Sequence, residues 1–300
     1  MTPAQHRQYS ALTALAIAVL QNASRLIPIA VASAFLQSVR AFKLKTSNSR
    51  LSSQQLHSYQ KNGFLVLPGM LSGTTLEALQ RLAQSSLQQC PDPVELEANL
   101  GYPGAPESLT TAGGKTVRRL LCATQRDSAW KDWATNPLIR QSLQQLFNQP
   151  DIYLSQTHHN CLMTKSPDYS SDTGWHQDIR YWSFERPELI SVWLALGQEQ
   201  PENGGMWVIP GSHNWHYSAE QFDQKKFFRD DFSPNQALIA QQQAVLLNPG
   251  DVLFFDCKLL HRASRNHSQQ TKFSLVFTYH GGHNKPVAGT RSTQLEEILL

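Results

Sequence analysis

No two of the four cysteines of this 300-residue chain, Cys90, Cys122, Cys161 and Cys257, stand in a CxxC pair. That spread argues against a zinc ribbon, and a disulfide framework would be unusual at this length, so the four read as reduced thiols in a cytosol-like compartment. Acidic residues are missing from the first quarter of the chain: the earliest is Glu77. Residues 1–50 hold six basic side chains and no acid, whereas the remaining 250 hold 20 basic and 23 acidic groups. A net charge of +3 with no basic face interleaved with aromatics argues against a nucleic-acid binder. Long apolar runs are lacking too. Ala11–Leu20 is cut off by a polar QNASR stretch and Leu26–Leu36 contains Pro28, so neither spans a bilayer as a helix. Internal repeats are absent.

What is present is a globular composition, 40% hydrophobic and 16% charged. Residues 1–50 read as a basic, partly apolar extension that is a targeting sequence, an interfacial helix or a packed helix. Residues 1–45 could give weak membrane-surface association. The main domain is assigned to residues 51–285 and a C-terminal tail to 286–300. A cytoplasmic location is expected, with organelle targeting by the N-terminal segment as the alternative.

Helical patterns cover Ser52–Tyr59, the leucine-spaced run after SGTT at 72–75, and Pro137–Phe147. The Pro-, Gly- and Ala-rich stretch 91–114 reads as loop. From Asp151 the texture becomes short strands: IYLSQT, NCLMT, LISVWLALG, MWVIPG, AVLLNPGDVLFFD and KFSLVFTYH, separated by turn residues. Helices do not alternate with these strands, which argues against a parallel βαβ sheet. The pattern predicts a mainly β protein, a sandwich or barrel of the jelly-roll kind with N-terminal and flanking helices. Residues 215–243 form a long polar insertion, either a lid or a surface excursion.

The stretch TGWHQDIRYW places His176 and Asp178 two residues apart. On extended backbone, side chains at i and i+2 leave the same face, so the pair can converge on one ion; on a helix they would diverge. A His-x-Asp triplet alone is weak. His261, following NPGDVLFFDCKLL, is the leading third ligand, with His158, His159, His213, His216, His280 and His283 as rivals. Two imidazoles and one carboxylate on one side of an ion, with open positions opposite, suit non-haem Fe(II) oxygen chemistry.

Taken together, WHQDIRYWSFERPELISVWLAL, ENGGMWVIPGSH and NPGDVLFFDCKLLHRASRN, preceded by LSSQQLHSYQKNGFLVLPGML, resemble the phytanoyl-CoA dioxygenase family of iron- and 2-oxoglutarate-dependent oxygenases. The resemblance runs from about Leu51 to about His280. It implies a double-stranded β-helix, a cupin-like jelly-roll barrel, with Fe(II) on His176, Asp178 and His261 and with 2-oxoglutarate and O2 as cosubstrates. No catalytic residue beyond the metal ligands is implied.

Members of that family carry an arginine eleven residues beyond the distal histidine, where it pairs with the far carboxylate of 2-oxoglutarate. This chain has Lys272 there, which offers a single ammonium in place of a bidentate fork. By the same resemblance Trp193, Gln177 and Cys161 fall near the cosubstrate, and Arg119 is a second carboxylate contact or a substrate-pocket residue. Arg180 and Tyr181, directly after the motif, are substrate-pocket candidates. The implied reaction hydroxylates a small organic molecule with release of succinate and CO2. The alternative is a cupin-type metal-dependent hydrolase or isomerase on the same His/Asp/His site, which predicts no basic residue on the strand after the distal histidine.

Overall fold

The computed structural model describes residues 50–300; the expectations for residues 1–49, targeting and membrane-surface association included, lie outside the described residues. Helix α1 (Ser53–Asn62) begins at a capping box. The Ser52 hydroxyl accepts from the Gln55 amide, and the Gln55 side chain accepts from the Ser52 amide. Gly63 closes it at a φ of 80° and releases the chain into β1 (Phe64–Leu67). Helix α2 (Gly73–Gln89) buries Leu76, Leu79 and Ala83 on one stripe.

The stretch 91–114 is not all loop, because β2 (Val94–Leu96) and a 3-10 turn (Glu97–Asn99) lie within it. β2 pairs with β3 (Val117–Leu121), a strand too charged (VRRLL) to stand out by alternation. Short helices α3 (Ala123–Arg126) and α4 (Ser128–Ala134) precede α5 (Pro137–Phe147), where Asn136 accepts from the Leu138 amide and Pro137 occupies the first turn.

β4 (Ile152–Lys165) is one strand of 14 residues where the sequence reads two. Its partner steps from Phe277, opposite Asn160, to Thr278, opposite Ser155, so the intervening residues 156–159 bulge without breaking the strand. There follow β5 (Thr173–His176), β6 (Ile190–Ala195), β7 (Met206–Val208), helix α6 (Ser233–Ile239), β8 (Gln243–Ala244), β9 (Val252–Asp256), β10 (His261–Ala263), β11 (Lys272–Gly281) and β12 (Ile298–Leu299). The large antiparallel sheet runs β1-β9-β6-β11-β4-β3-β2, with β12 added to β4; the smaller sheet runs β5-β10-β7-β8. This is the expected double-stranded β-helix. The last strand ties residues from the expected tail, 286–300, into the large sheet, and Glu297 hydrogen-bonds His280 at 2.6 Å.

Strand alternation decides what each face of the large sheet does. Val192, Leu194, Val252, Phe254, Leu275 and Phe277 point to the helices and form the main core. Trp193, Ala195, Leu253, Phe255 and Val276, the neighbours between them, point to the small sheet and form a second core. Burial on both faces explains why these strands read as continuous apolar runs instead of alternating ones. The inner face carries the site, since it continues along β11 to Ser274 and Lys272 and along β4 to His159, Met163 and Lys165.

The turn before β9 depends on Gly250. Its φ is 86°, and a Cβ there would lie 1.9 Å from the Leu71 carbonyl oxygen. Gly250→Ala is expected to destabilise the protein by about 2–4 kcal/mol, combining left-handed strain with a backbone clash. Urea denaturation checks this, and a loss below about 1 kcal/mol would contradict the rigid turn. No helix among the described residues is long and apolar enough to cross a membrane.

Candidate metal centre

His176 is the last residue of β5 and pairs in register with His261, the first residue of β10. The sequence places His261 at the end of the preceding strand segment. In the structure a turn over Asp256–Leu260 intervenes, and His261 opens a new strand in the opposite sheet. Extended backbone at Gln177 (φ −111°, ψ 136°) brings the Asp178 side chain back to the His176 side, and Asp178 then opens a 3-10 turn to Tyr181. The i, i+2 geometry therefore holds although the regular strand stops at His176.

The result is convergence. His176 Nε2 lies 3.8 Å and His261 Nε2 3.6 Å from Asp178 Oδ1, and the three ligand atoms all fall within 4.8 Å of one another. Ligand bonds of about 2.0–2.2 Å put neighbouring donors roughly 3–4 Å apart around a shared ion. The outer contacts fix the donors' orientation. His176 donates Nδ1–H to the Gly174 carbonyl at 2.8 Å and His261 donates Nδ1–H to the Leu259 carbonyl at 3.0 Å. A carbonyl can only accept, so both Nε2 lone pairs are left facing the common point. Ser191 donates its hydroxyl to Asp178 Oδ2 at 3.2 Å and leaves Oδ1 for the ion.

Charge follows from burial. Desolvation, with His261 and Arg180 nearby, holds the His176 imidazole well below its ordinary pKa and hence neutral. For Asp178, burial alone would push the carboxyl up, but His159, His261, Arg119 and Arg180 together pull it below its ordinary value, so it is ionised. Two imidazole nitrogens and one carboxylate suit a divalent first-row metal and would leave it with net positive charge. Among the described residues this is the one cluster with such geometry. His213 instead hydrogen-bonds the Gln60 carbonyl, His280 bonds Glu297, His283 bonds Glu188, and His158 bonds Ser292. His159 stands on the Oδ2 side of Asp178, 3.6 Å away, with burial lowering its pKa to about 4.

A cavity opens beside the three ligands, and Lys272, Trp193 and Arg119 are among the residues that line it. Lys272 is buried and already engaged: Nζ stands 3.1 Å from Glu199 Oε2 and 2.9 Å from Ser274 Oγ. Arg119 is paired with Glu95 at 3.4 Å. Cys161 and Gln177 do not line the cavity. Cys161 belongs to the core between the sheets, where burial raises its thiol pKa to about 11, and the Gln177 amide is turned to the Lys258 carbonyl. Arg180 and Tyr181 also stand off the cavity wall. The Arg180 guanidinium lies 4.0 Å from the Phe227 ring centroid and 4.6 Å from that of Tyr181. Phe227 comes from the 215–243 insertion and meets His176 edge-on, with 6.0 Å between ring centroids. The insertion thus reaches the metal ligands and is more than a surface excursion.

Sequence reasoning missed two residues here. Lys165 pairs in register with Lys272, lines the cavity, and donates to the Ser171 carbonyl. Burial, then Arg118, lowers its pKa to about 7. Its signal was available, because it stands four residues beyond Cys161 on the same face of β4. Glu199 carried no local signal.

Comparison with known proteins agrees with this geometry. Residues 59–274 match the model of the family described as Phytanoyl-CoA dioxygenase (PhyH). The chain is 25% identical over 273 residues to the peroxisomal phytanoyl-CoA dioxygenase of Bos taurus, covering 86% of this chain and 78% of that one. Among solved structures it resembles EctD from S. alaskensis with bound Fe (TM-score 0.65, 20% identity, 79% of each chain). It also resembles the epimerase SnoN in complex with Fe3+, alpha ketoglutarate and nogalamycin RO (TM-score 0.62, 17% identity, 81% of this chain and 93% of that one).

Proposed function

Since the chain belongs to the phytanoyl-CoA dioxygenase family and its metal-binding triad is complete, we propose that it hydroxylates a small organic molecule using Fe(II), 2-oxoglutarate and O2. The observation that carries this reading is the aim of the two imidazoles: each spends Nδ1–H on a backbone carbonyl, and both Nε2 atoms meet Asp178 Oδ1. Iron with 2-oxoglutarate and O2 supplies the oxidising chemistry, in which one oxygen atom enters the substrate and the other enters succinate as CO2 leaves. A cupin-type hydrolase on the same ligands has no use for the buried lysines of the cavity.

The chain's own contributions are positional. His176, Asp178 and His261 hold the metal from one side, and Ser191 fixes the rotation of the Asp178 carboxylate. Lys272, with Lys165 beside it, meets the far carboxylate of the cosubstrate, and Trp193 forms the adjoining wall. The apolar inner cores of the two sheets exclude water from this end. On bound iron the Asp178 carboxylate would take the position that a halide would need, which favours hydroxylation over halogenation. The substrate approaches from the Arg180–Phe227 side. The Arg180 guanidinium has no carboxylate partner among the described residues, and its one hydrogen bond, to the Lys226 carbonyl, is 3.4 Å long. An anionic group on the substrate would complete its contacts. The four unpaired thiols fit a reducing compartment.

The test is turnover. Protein loaded anaerobically with Fe(II), then given 2-oxoglutarate and O2 with a panel of small molecules, is expected to form succinate above the metal-free control. One panel member should gain a single oxygen by mass spectrometry. Absence of succinate across a broad panel would overturn the assignment.

A further inference from the structure

Taking the oxygenase function proposed above as premise, we infer that Glu199 sets the cosubstrate selectivity of this site. By taking up the charge of Lys272, it leaves 2-oxoglutarate weakly preferred over 2-oxo acids that lack a second carboxylate.

Four buried side chains form a closed network at the far end of the cavity. Lys272 Nζ donates to Glu199 Oε2 (3.1 Å) and to Ser274 Oγ (2.9 Å). The Ser274 hydroxyl in turn donates to Glu199 Oε1 (2.6 Å), which also accepts from Trp193 Nε1 (3.0 Å). The same Trp193 ring lies 5.0 Å from Nζ. Glu199 is 1% exposed, Ser274 0% and Lys272 5%, so water does not screen the pair. The acid is held in place by its backbone, which exchanges hydrogen bonds with Leu247 at 2.8 and 3.1 Å.

An ammonium has three N–H donors, and two are committed here. A cosubstrate carboxylate reaching the third would sit within a few ångströms of the Glu199 carboxylate, and the like-charge repulsion offsets most of the attraction to Lys272. An unpaired cation at this place would reward a second carboxylate strongly; a neutral Lys–Glu pair does not. The neighbouring Lys165 has a carbonyl as its partner and no carboxylate.

The experiment compares 2-oxoglutarate with 2-oxopentanoate, the same five-carbon chain without the terminal carboxylate. Each is titrated anaerobically into the Fe(II)-loaded protein. Binding is read by calorimetry and by the visible charge-transfer absorption of the chelated oxo acid, so no turnover is needed. In the wild type the two dissociation constants are expected to agree within about tenfold. Glu199→Gln preserves the shape of the side chain while removing its charge and exchanging one acceptor oxygen for an amide donor. It should tighten 2-oxoglutarate by about tenfold or more and leave 2-oxopentanoate within about twofold.

If that variant does not fold by circular dichroism, Glu199→Asp draws the carboxylate away from Nζ and should shift affinity in the same direction by less. Unchanged or weakened 2-oxoglutarate binding in the folded variant would overturn the inference, as would a wild-type preference for 2-oxoglutarate beyond about a hundredfold. If the wild type binds neither oxo acid with iron in place, the oxygenase function falls, and this inference with it.

Discussion

Asp178→Ala is expected to abolish turnover and to weaken Fe(II) binding by more than about 100-fold, because even the outer partners of metal ligands are worth 10–100-fold in affinity. The same change should cost the metal-free protein little stability. Asp178 is a buried carboxylate with one hydrogen-bond donor, the Ser191 hydroxyl, and the favourable charges of His159, His261, Arg119 and Arg180 around it are set against the cost of burying it. Metal titration and thermal melting separate the two effects. Retained iron affinity would remove Asp178 from the ligand set, and a collapse in the melting temperature of the metal-free form would mark it as a structural residue instead.

Lys272→Met should have the opposite balance. The KM for 2-oxoglutarate is expected to rise by about 10–100-fold while kcat at saturation falls less, since the side chain meets the end of the cosubstrate remote from the metal. Stability should drop by about 3–5 kcal/mol, because a buried ion pair broken on one side leaves Glu199 desolvated and uncompensated. Lys272→Arg restores the charge and should hold KM within several-fold of the wild type. An unchanged KM in the Met variant would take Lys272 out of the cosubstrate site, whatever happens to stability.

The two variants probe parts of the site that differed in how readable they were. His176 and Asp178 are two residues apart, and backbone geometry alone brings such a pair to one side wherever the chain is extended. The apolar runs over β6, β9 and β11 identify strands for an equally local reason. The bulge at residues 156–159 was hidden because it interrupts the alternation of β4 without ending its hydrogen bonding. β3 was hidden because its two arginines pair with acids of the neighbouring β2 segment: Arg118 Nη1 stands 3.3 Å from the buried Glu97, and Arg119 Nε 3.4 Å from Glu95.

Cys161 and Lys165 illustrate the limit further. Both sit on the inner face of β4, yet the apolar neighbour of Val276 became core and the residue opposite Lys272 became cavity wall. Position along the strand, relative to where the two sheets part, made that difference, and no residue type announces it.

The amino-acid order by itself determined the strand-rich class, the starts of the capped helices and the local half of the metal site, because each depends on contacts spanning a few residues. Which distant histidine completes the ion's shell, and which acid neutralises Lys272, was decided only when antiparallel pairing set β10 beside β5 and carried Glu199 against β11. Those meetings follow from the burial of whole sheet faces, a property shared by many residues at once.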